Sequence, residues 1–164
     1  MVLTGKQIIE NGIVSDLIDP SLQEQSCGVD LSVAKIEMFM SSGVIDFDNS
    51  QRAKPRLAEV TMLDGGADLR PGSYLITMNE TVKVPIDMMG LARPRSTMLR
   101  CGATMETSVW DPGYEGKSQC MMVVYNQHGL RICKNARVMQ IVFLPIGQDA
   151  KAYNGVYQRE GLSA

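Results

Sequence analysis

Residues 93–126 read RPRSTMLRCGATMETSVWDPGYEGKSQCMMVVYN, and this stretch concentrates the chemistry of the chain. It opens with three arginines, Arg93, Arg95 and Arg100, around the hydroxyl pair Ser96-Thr97. Guanidinium groups offer paired donors that match phosphate oxygens, and hydroxyl groups can fill the gaps between them. The beginning of the stretch therefore indicates a site for a phosphorylated ligand, with an ordinary surface loop as the alternative.

The second half of the stretch contains Asp111-Pro112-Gly113-Tyr114-Glu115-Gly116, which is typical of a tight turn with a carboxylate at its entrance. A carboxylate beside a phosphate site can activate water or take part in metal coordination. An ordinary β-turn is the alternative. The order and spacing of the arginine cluster and this turn favour a functional site over two unrelated surface features.

The order of the motifs resembles that of the dUTPase and dCTP deaminase superfamily. The phosphate motif of that family is matched by Arg95-Ser96-Thr97, and its catalytic turn by the Asp111 turn. Two further motifs are matched by Gly28-Val29-Asp30-Leu31 upstream and by Arg137-Val138-Met139-Gln140 downstream. The resemblance covers residues 26–145. It implies an all-β fold, a distorted jelly-roll β-barrel, in a homotrimer.

Strand-like segments dominate the chain outside its N-terminus. From Gly28 onward apolar and polar residues alternate, and the alternation changes parity near Lys35, where we expect a β-bulge. The other predicted strands are residues 44–47, 57–62, 73–78, 81–84, 118–125, 130–133 and 138–144. Short strands at intervals of about 8–12 residues, with almost no helical period, are typical of a β-sandwich or barrel.

The N-terminus predicts one short helix. Thr4-Gly5-Lys6-Gln7 has the form of a capping box, and Gly12 is placed to end the helix. We therefore predict a helix over residues 4–11. Residues 16–26 are expected to form a turn-rich connection to the first strand.

The length of the chain, 164 residues, predicts one domain with a sizeable core. We expect residues 1–147 to form this domain and residues 148–164 to form a mobile polar tail, a candidate lid for the active site. No apolar run approaches the ~18 residues needed to span a bilayer, so we expect no membrane partner. A net charge of −2 argues against a nucleic-acid partner, because DNA normally demands a basic face.

Cysteine and histidine usage argues against a structural metal. The four cysteines form no CxxC pair and His128 is the single histidine, so a zinc site is not expected. Reduced thiols fit a cytoplasmic protein, which is the location that we predict.

The resemblance implies roles for the matched residues. Phosphate binding is implied for Arg95, Ser96, Thr97, Arg100, Arg137 and Gln140. Gln140 could instead contact a neighbouring subunit, and Arg93 is interpreted as a surface arginine. Asp111 is implied to be the catalytic carboxylate, which orients and deprotonates the water that attacks the α-phosphorus.

Other matched residues would contact the rest of the nucleotide. The resemblance implies that Asp30 helps to hold hydrated Mg²⁺ on the triphosphate, with an edge-strand carboxylate as the alternative. It implies that Tyr114 packs against deoxyribose and excludes a 2′-hydroxyl group, with a core tyrosine as the alternative. Residues 104–109 occupy the place of the base-reading hairpin, although the asparagine of dUTPases is absent there. The base contacts implied for this segment belong to Thr107, Ser108 and Val109.

Two chemistries share this scaffold, and the sequence distinguishes them. Deamination of dCTP requires a glutamate on the strand after the catalytic turn. The spacing of the family it resembles places that glutamate five residues after Gly116, where this chain has Met121, and a shifted alignment would place it near Val123. No Asp or Glu occurs between Lys117 and Gln148, and a thioether cannot transfer a proton. We therefore predict a dUTP diphosphatase that uses Mg²⁺ and produces dUMP and pyrophosphate, which cleans the nucleotide pool and supplies dUMP.

The C-terminal tail contains two tyrosines that could cover a bound nucleotide. Tyr153 or Tyr157 would supply an aromatic lid, and Gly155-Val156-Tyr157-Gln158 resembles the deaminase branch of the family.

A dCTP deaminase-related activity is one alternative to dUTP hydrolysis. The other is a nucleotide-binding relative without turnover, which would act as a sensor or interaction partner.

Overall fold

The computed structural model of the protein describes residues 1–147 and 150–162. The helices in these residues are α1 (Gly5–Glu10), α2 (Pro20–Gln23) and α3 (Ser96–Arg100). The strands are β1 (Val14–Ser15), β2 (Glu24–Gln25), β3 (Gly28–Phe39), β4 (Leu57–Glu59), β5 (Gly66–Leu69), β6 (Gly72–Lys83), β7 (Met88–Pro94), β8 (Ala103–Glu106), β9 (Glu115–Val124), β10 (Leu130–Cys133) and β11 (Arg137–Pro145). No helix in the described residues has the length and apolar character needed to cross a bilayer.

One antiparallel sheet forms most of the domain. Its strands follow the order β7-β11-β3-β6-β9-β8, with β1 paired to β6 and with β2 and β4 paired to β3. The two ends of this path meet where Gly90 of β7 and Trp110 exchange backbone hydrogen bonds of 2.9 and 3.0 Å. The sheet therefore curls into a nearly closed barrel, as the predicted all-β jelly-roll requires. Strands β5 and β10 form a separate two-stranded sheet.

The barrel interior is filled by aliphatic, methionine and phenylalanine side chains. The largest of them with no exposed surface are Ile8, Leu31, Ile36, Ile76, Met78, Met122, Met139, Ile141 and Phe143. Leu31 and Ile36 lie an odd number of residues apart, yet both face inward because the register of β3 shifts between Val33 and Lys35. This confirms the predicted bulge.

The predicted N-terminal helix is confirmed as α1. The Thr4 hydroxyl oxygen accepts from the Gln7 N–H at 3.2 Å, and Gln7 Oε1 accepts from the Thr4 N–H at 3.0 Å. These reciprocal bonds are the predicted capping box. Ile8 is fully buried, so the helix packs one face against the barrel. Gly12 follows the helix with a φ of +64°.

Several predicted element bounds are wrong. Residues 44–47 contain an isolated bridge from Val44 to Ala53 instead of a strand. The predicted strands 73–78 and 81–84 are one strand, β6, because the polar residues between them lie in an irregular part of its pairing with β9. Within the expected turn-rich connection, Asp19 caps α2. The sequence predicts neither β5 nor β7.

The described part of the C-terminal segment, residues 150–162, packs against the barrel. The Tyr153 N–H donates to the Pro112 carbonyl, and the Arg159 N–H donates to the Glu115 carbonyl, both at 2.7 Å. Residues 148, 149, 163 and 164 of the predicted mobile tail lie outside the described residues. The docked part of the segment lies beside the turn that carries Asp111.

Candidate active site

The turn between β8 and β9 presents Asp111 at the surface. Gly113 in this turn has a φ of +76°, a conformation that strongly favours glycine. Its N–H donates to the Val84 carbonyl at 3.0 Å, and the Tyr114 N–H donates to the Asp111 carbonyl at 3.2 Å. These bonds fix the backbone of Asp111, while its side chain stays exposed and accessible to water.

A cavity of about 520 Å³, which we call the Asp111 cavity, opens beside this turn. Its volume lies within the range of roughly 300–1,000 Å³ that is usual for small-molecule sites. The described residues that line it are Phe39, Lys54, Pro55, Leu57, Leu75, Ser108, Val109, Trp110, Asp111, Tyr114, Ser118, Gln119, Tyr153, Tyr157 and Glu160. Apolar and aromatic walls with a few polar groups suit a flat, partly apolar ligand.

Tyr114 forms part of the aromatic wall and is 8% exposed. Its ring contacts that of Tyr153 edge-on, with centroids 5.6 Å apart and planes at 76°. Burial raises the pKa of Tyr114 to about 12, so its hydroxyl group stays protonated at neutral pH. The Tyr114 ring is therefore neutral and does not repel an anionic ligand, as an ionised phenolate would.

The C-terminal segment covers one side of the Asp111 cavity. The Lys117 N–H donates to the Glu160 carbonyl at 2.7 Å. A Cβ atom at Gly116 would lie only 3.0 Å from that carbonyl oxygen, so glycine permits this close approach. Lys54 Nζ lies 4.3 Å from the centre of the Tyr157 ring, a cation–π contact. Tyr157, a predicted lid residue, thus reaches the cavity, although its role as a lid stays a prediction.

Asp30, Arg95 and Arg137 form a second group, which we call the Asp30 cluster. Asp30 Oδ2 accepts from Arg95 Nε at 3.0 Å and from Arg137 Nη1 at 3.2 Å. The Asp30 side chain is 3% exposed, whereas the two arginine side chains are about one third exposed. Burial raises the pKa of Asp30, and the two guanidinium groups oppose the rise. The exposed parts of both arginines remain accessible to a ligand.

A network of buried polar side chains holds the backbone of Asp30 in place. Gln23 Nε2 donates to the Asp30 carbonyl at 2.9 Å and to Glu80 Oε1 at 2.6 Å. The Ser32 N–H and hydroxyl group donate to Glu80 at 2.9 and 2.5 Å. Because buried polar groups are costly unless they are hydrogen-bonded, this network fixes one geometry. The sequence gives no signal that Gln23 and Glu80 would meet.

The remaining predicted phosphate-binding residues lie close to the Asp30 cluster in the chain or in the sheet. Ser96, Thr97 and Arg100 lie on α3, directly after its N-cap residue Arg95, and all three are exposed. Gln140 of β11 lies opposite Asp30 of β3. Strand pairing and chain continuity therefore place these residues on the same side of the protein as the Asp30 cluster.

The structure divides the predicted site residues into two groups. Of these residues, Asp111, Ser108, Val109, Tyr114 and Tyr157 line the Asp111 cavity. Thr107 lies just before Ser108 and is half-buried. None of the described lining residues belongs to the Asp30 cluster, to α3 or to the position of Gln140. One chain therefore supplies the carboxylate and the arginines at separate places.

Three lining residues that carry a charge or a side-chain amide escape the sequence analysis. Lys54 precedes β4, Gln119 lies on β9, and Glu160 lies in the C-terminal segment. Burial raises the pKa of Glu160, and the charge of Lys54 opposes that rise. The residues around each of the three are typical of a solvent-exposed polar position. Their location in the cavity depends on the packing of segments that are distant in the sequence.

Solved structures define the class of fold. A crystal structure of 2′-deoxycytidine 5′-triphosphate deaminase from Agrobacterium tumefaciens superposes with a TM-score of 0.63 at 19% identity. The superposition covers 87% of this chain and 46% of the deaminase chain, so this chain spans less than half the length of that structure. The chain thus has the barrel fold of that deaminase.

The sequence comparison then gives the family. Residues 2–146 match the family described as dCTP deaminase-like, and the chain belongs to that family. A "Probable deoxyuridine 5′-triphosphate nucleotidohydrolase" of Methanococcoides burtonii is 41% identical, over 99% of this chain and 94% of the relative. A protein of the same name from Archaeoglobus fulgidus is 40% identical, over 99% of both chains. The family predicted from the motifs is confirmed.

Proposed function

We propose that this chain hydrolyses dUTP to dUMP and pyrophosphate. The observation that carries the proposal is the exposed carboxylate of Asp111, held on a rigid turn at an aromatic cavity of nucleoside size. The two relatives described above, which match this chain over almost its whole length, carry a name that describes this reaction. The reaction would remove dUTP from the nucleotide pool and supply dUMP.

Asp111 would act as the general base of the reaction. It would orient a water molecule, accept its proton and direct the oxygen at the α-phosphorus, which leads to release of pyrophosphate. Arg95, Ser96, Thr97 and Arg100 would hold the phosphate oxygens and stabilise the charge that develops on them. Arg137 would add a further positive charge, and Gln140 would contact a phosphate or a neighbouring subunit.

The Asp111 cavity would hold the nucleoside. Tyr114 would pack against the deoxyribose ring and leave no room for a 2′-hydroxyl group. Main-chain groups of Thr107, Ser108 and Val109 would contact the base, because Ser108 and Val109 already line the cavity. Tyr157, held by Lys54, would cover the bound nucleotide. Exclusion of water other than the attacking molecule would strengthen the electrostatic contacts inside.

Magnesium would enter with the triphosphate. The described residues contain no group of three or more His, Cys, Asp or Glu side chains that could hold a metal ion by themselves. The contacts of Asp30 with Arg95 and Arg137 both use Oδ2, so Oδ1 is the atom that could reach a water of hydrated Mg²⁺. The metal would supply charge neutralisation on the triphosphate.

A homotrimer would unite the two separate groups of residues. Since the described lining of the Asp111 cavity includes no member of the Asp30 cluster, the arginines would come from a neighbouring subunit. A closed cyclic assembly would repeat this contact at each interface and give three sites.

The four cysteines are free in the structure, which suits the reducing cytoplasm where nucleotide pools are maintained.

A product assay tests the proposal. The purified protein is incubated with Mg²⁺ and with dUTP, dCTP, dTTP or UTP in turn, and pyrophosphate and nucleoside monophosphate are quantified. We expect pyrophosphate from dUTP and far less from the other three nucleotides. Tight binding of dUTP without pyrophosphate release would instead identify a nucleotide-binding relative that has lost turnover.

A further inference from the structure

Glu80 of β6 is a carboxylate with no exposed surface. It lies in the irregular part of the pairing with β9, where the register shifts between Thr77 and Thr81, and such an irregularity re-aims the side chains next to it. Within the described part of the chain its hydrogen bonds come from the neutral residues Gln23 and Ser32. Because burying a carboxylate without an opposite charge is costly, the geometry that these bonds impose explains Glu80 better than a gain in stability does.

One branch of this network leads to Asp30. Glu80 Oε1 accepts from Gln23 Nε2 at 2.6 Å, and the same nitrogen donates to the Asp30 carbonyl at 2.9 Å. At the other end of the amide, Gln23 Oε1 accepts from the Asp19 N–H at 3.0 Å. A backbone N–H can only donate and a carbonyl can only accept, so the orientation of the Gln23 amide is determined. Glu80 thereby fixes the backbone of the carboxylate that both arginines of the Asp30 cluster contact.

A second branch leads to the turn before Arg137. The Ser32 hydroxyl group donates to Glu80 Oε1 at 2.5 Å and accepts from Asn79 Nδ2 at 2.9 Å. Since the single hydroxyl hydrogen of Ser32 goes to Glu80, Ser32 can only accept from Asn79. Asn79 Nδ2 also donates at 3.2 Å to Oδ1 of Asn135, which has a φ of +59° and lies two residues before Arg137. Both branches therefore end at the Asp30 cluster.

We propose that Glu80 is a positioning residue for the triphosphate: it holds Asp30 and the turn before Arg137 so that the guanidinium groups of Arg95 and Arg137 face the phosphate oxygens. A guanidinium group binds phosphate through paired N–H donors, so its affinity depends on its orientation. A displacement of about 1 Å in such a site can cost a factor of about 100. This inference rests on the proposed function, since it assumes that the two arginines hold the triphosphate.

The test compares a ligand that reaches the arginines with one that does not. Dissociation constants are measured for α,β-imido dUTP, which carries the triphosphate, and for deoxyuridine, which ends at the sugar. Glu80→Gln keeps the shape of the side chain and replaces one acceptor oxygen by a donor. Ser32→Ala removes the hydroxyl group and keeps the N–H bond to Glu80. Thr81→Val is the control, because the buried Thr81 hydroxyl group donates to Asp16 Oδ2 at 2.6 Å, on the same strand but outside the network.

Glu80→Gln should weaken binding of the dUTP analogue by about tenfold or more and change binding of deoxyuridine by less than about twofold. Ser32→Ala should show the same selective loss at a smaller size, and it keeps the test decisive if Glu80→Gln fails to fold. Thr81→Val should lower the melting temperature and leave the ratio of the two dissociation constants unchanged. A purely structural role of Glu80 would give the pattern of Thr81→Val in Glu80→Gln and Ser32→Ala as well, which would overturn the inference.

A double variant tests whether the network acts through the arginines. Ser32→Ala combined with Arg95→Ala should weaken binding of the dUTP analogue by less than the product of the two single effects, because the first change has already disturbed what the second affects. Single effects that multiply in full would overturn the inference, as would a wild type that binds the analogue no more tightly than deoxyuridine. Failure of the proposed function is a separate outcome. The wild type would then bind the analogue without releasing pyrophosphate from dUTP, and the affinity ratios would still decide the role of Glu80.

Discussion

Met121 of β9 and Glu106 of β8 are directly paired across the two antiparallel strands, so their side chains lie on the same face of the sheet. Met121 occupies the position at which the resemblance places the proton-transferring glutamate of dCTP deaminases. The neighbouring strand thus brings a carboxylate beside this position. Glu106 is exposed and is absent from the described residues that line the Asp111 cavity.

The first prediction is that dCTP is not deaminated. A proton carrier must lie within hydrogen-bond reach of the base. Met121 has no proton to transfer, and Glu106 is absent from the described lining of the cavity that we propose for the nucleoside. Ammonia release from dCTP should be at least about 100-fold slower than pyrophosphate release from dUTP, the size of a typical general acid–base contribution. Met121→Glu alone should not restore it, because the new carboxylate would lack partners that set its proton.

An ammonia assay with dCTP checks this prediction. Comparable rates of ammonia release from dCTP and pyrophosphate release from dUTP would contradict it. In that event Glu106→Gln shows whether the paired strand supplies the missing carboxylate, since this variant keeps the shape of the residue and removes its proton-transfer capacity.

The second prediction is that Asp111→Asn impairs catalysis far more than binding. Asparagine keeps the size and hydrogen-bonding capacity of aspartate and removes the base. Single-turnover hydrolysis of dUTP should fall by about 100-fold or more, while the dissociation constant for a non-hydrolysable dUTP analogue stays within about tenfold. Asp87→Asn, at another exposed aspartate, is the matched control. An unchanged rate in Asp111→Asn would show that Asp111 is only a turn residue.

Local sequence signals account for the parts of the fold that could be predicted. The capping box at Thr4 and the parity change near Lys35 depend on neighbouring residues, and both have the expected structure. Strand β7 is missed because Gly90 and Pro94 resemble turn signals, although its pairing with β11 outweighs them. In β6 the polar Glu80 resembles a break, but buried partners from other segments satisfy it.

The same distinction applies to the candidate site. Asp111 and Tyr114 could be predicted because a short turn motif carries both of them. Lys54, Gln119 and Glu160 come from separate parts of the chain and meet only after folding. The separation of the Asp30 cluster from the Asp111 cavity is likewise a property of the barrel that no local pattern contains.

The third prediction compares Arg95→Ala with Arg93→Ala. Arg95 contacts the buried Asp30, whereas Arg93 is exposed and is interpreted as a surface residue. Arg95→Ala should weaken binding of the dUTP analogue by about tenfold or more and lower the free energy of unfolding by about 2 kcal/mol, since it removes a charge-assisted hydrogen bond. Arg93→Ala should change both by little. Calorimetric titration and denaturant unfolding measure the two effects, and equal behaviour of both variants would contradict the assignment.

The fourth prediction concerns the pH dependence of docking by the C-terminal segment. Burial in the docked segment raises the pKa of Glu160 above its ordinary value of 4.5, with Lys54 opposing the rise. The docked state therefore binds a proton more tightly than the undocked state. Docking should therefore be strongest below the ordinary pKa, weaken as the pH rises from that value through the raised pKa, and stay constant above it.

Hydrogen exchange of the Tyr153 and Arg159 amides, both bonded to the barrel, measures this docking. Their protection factors, corrected for intrinsic exchange, should decrease in the wild type as the pH rises from the ordinary pKa of Glu160 through its raised pKa. Glu160→Gln has no charge to lose and should show flat, high protection. Glu59→Gln, at an exposed glutamate outside the cavity, should behave like the wild type. A wild-type profile that is flat or rises with pH would contradict the role of Glu160.

The fifth prediction is that Asp111 and Arg95 act on one substrate from different subunits of a homotrimer. Light scattering should give a mass of about three times the 18.0 kDa of one chain. Asp111→Asn and Arg95→Ala should each be nearly inactive when assembled alone. When the two variants are unfolded together and reassembled in equal amounts, an intact Asp111 and an intact Arg95 can meet across an interface.

Random mixing makes the expected recovery quantitative. A site is intact when one chain supplies Asp111 and its neighbour supplies Arg95, which occurs in about a quarter of the sites of a cyclic assembly. The mixture should therefore regain about one quarter of the wild-type activity. Because Arg95 also contacts the buried Asp30, Arg100→Ala on the exposed face of α3 provides a second partner for the same experiment. A mixture no more active than the mean of its parents would place the complete site within one chain, since no chain in the mixture carries both intact residues.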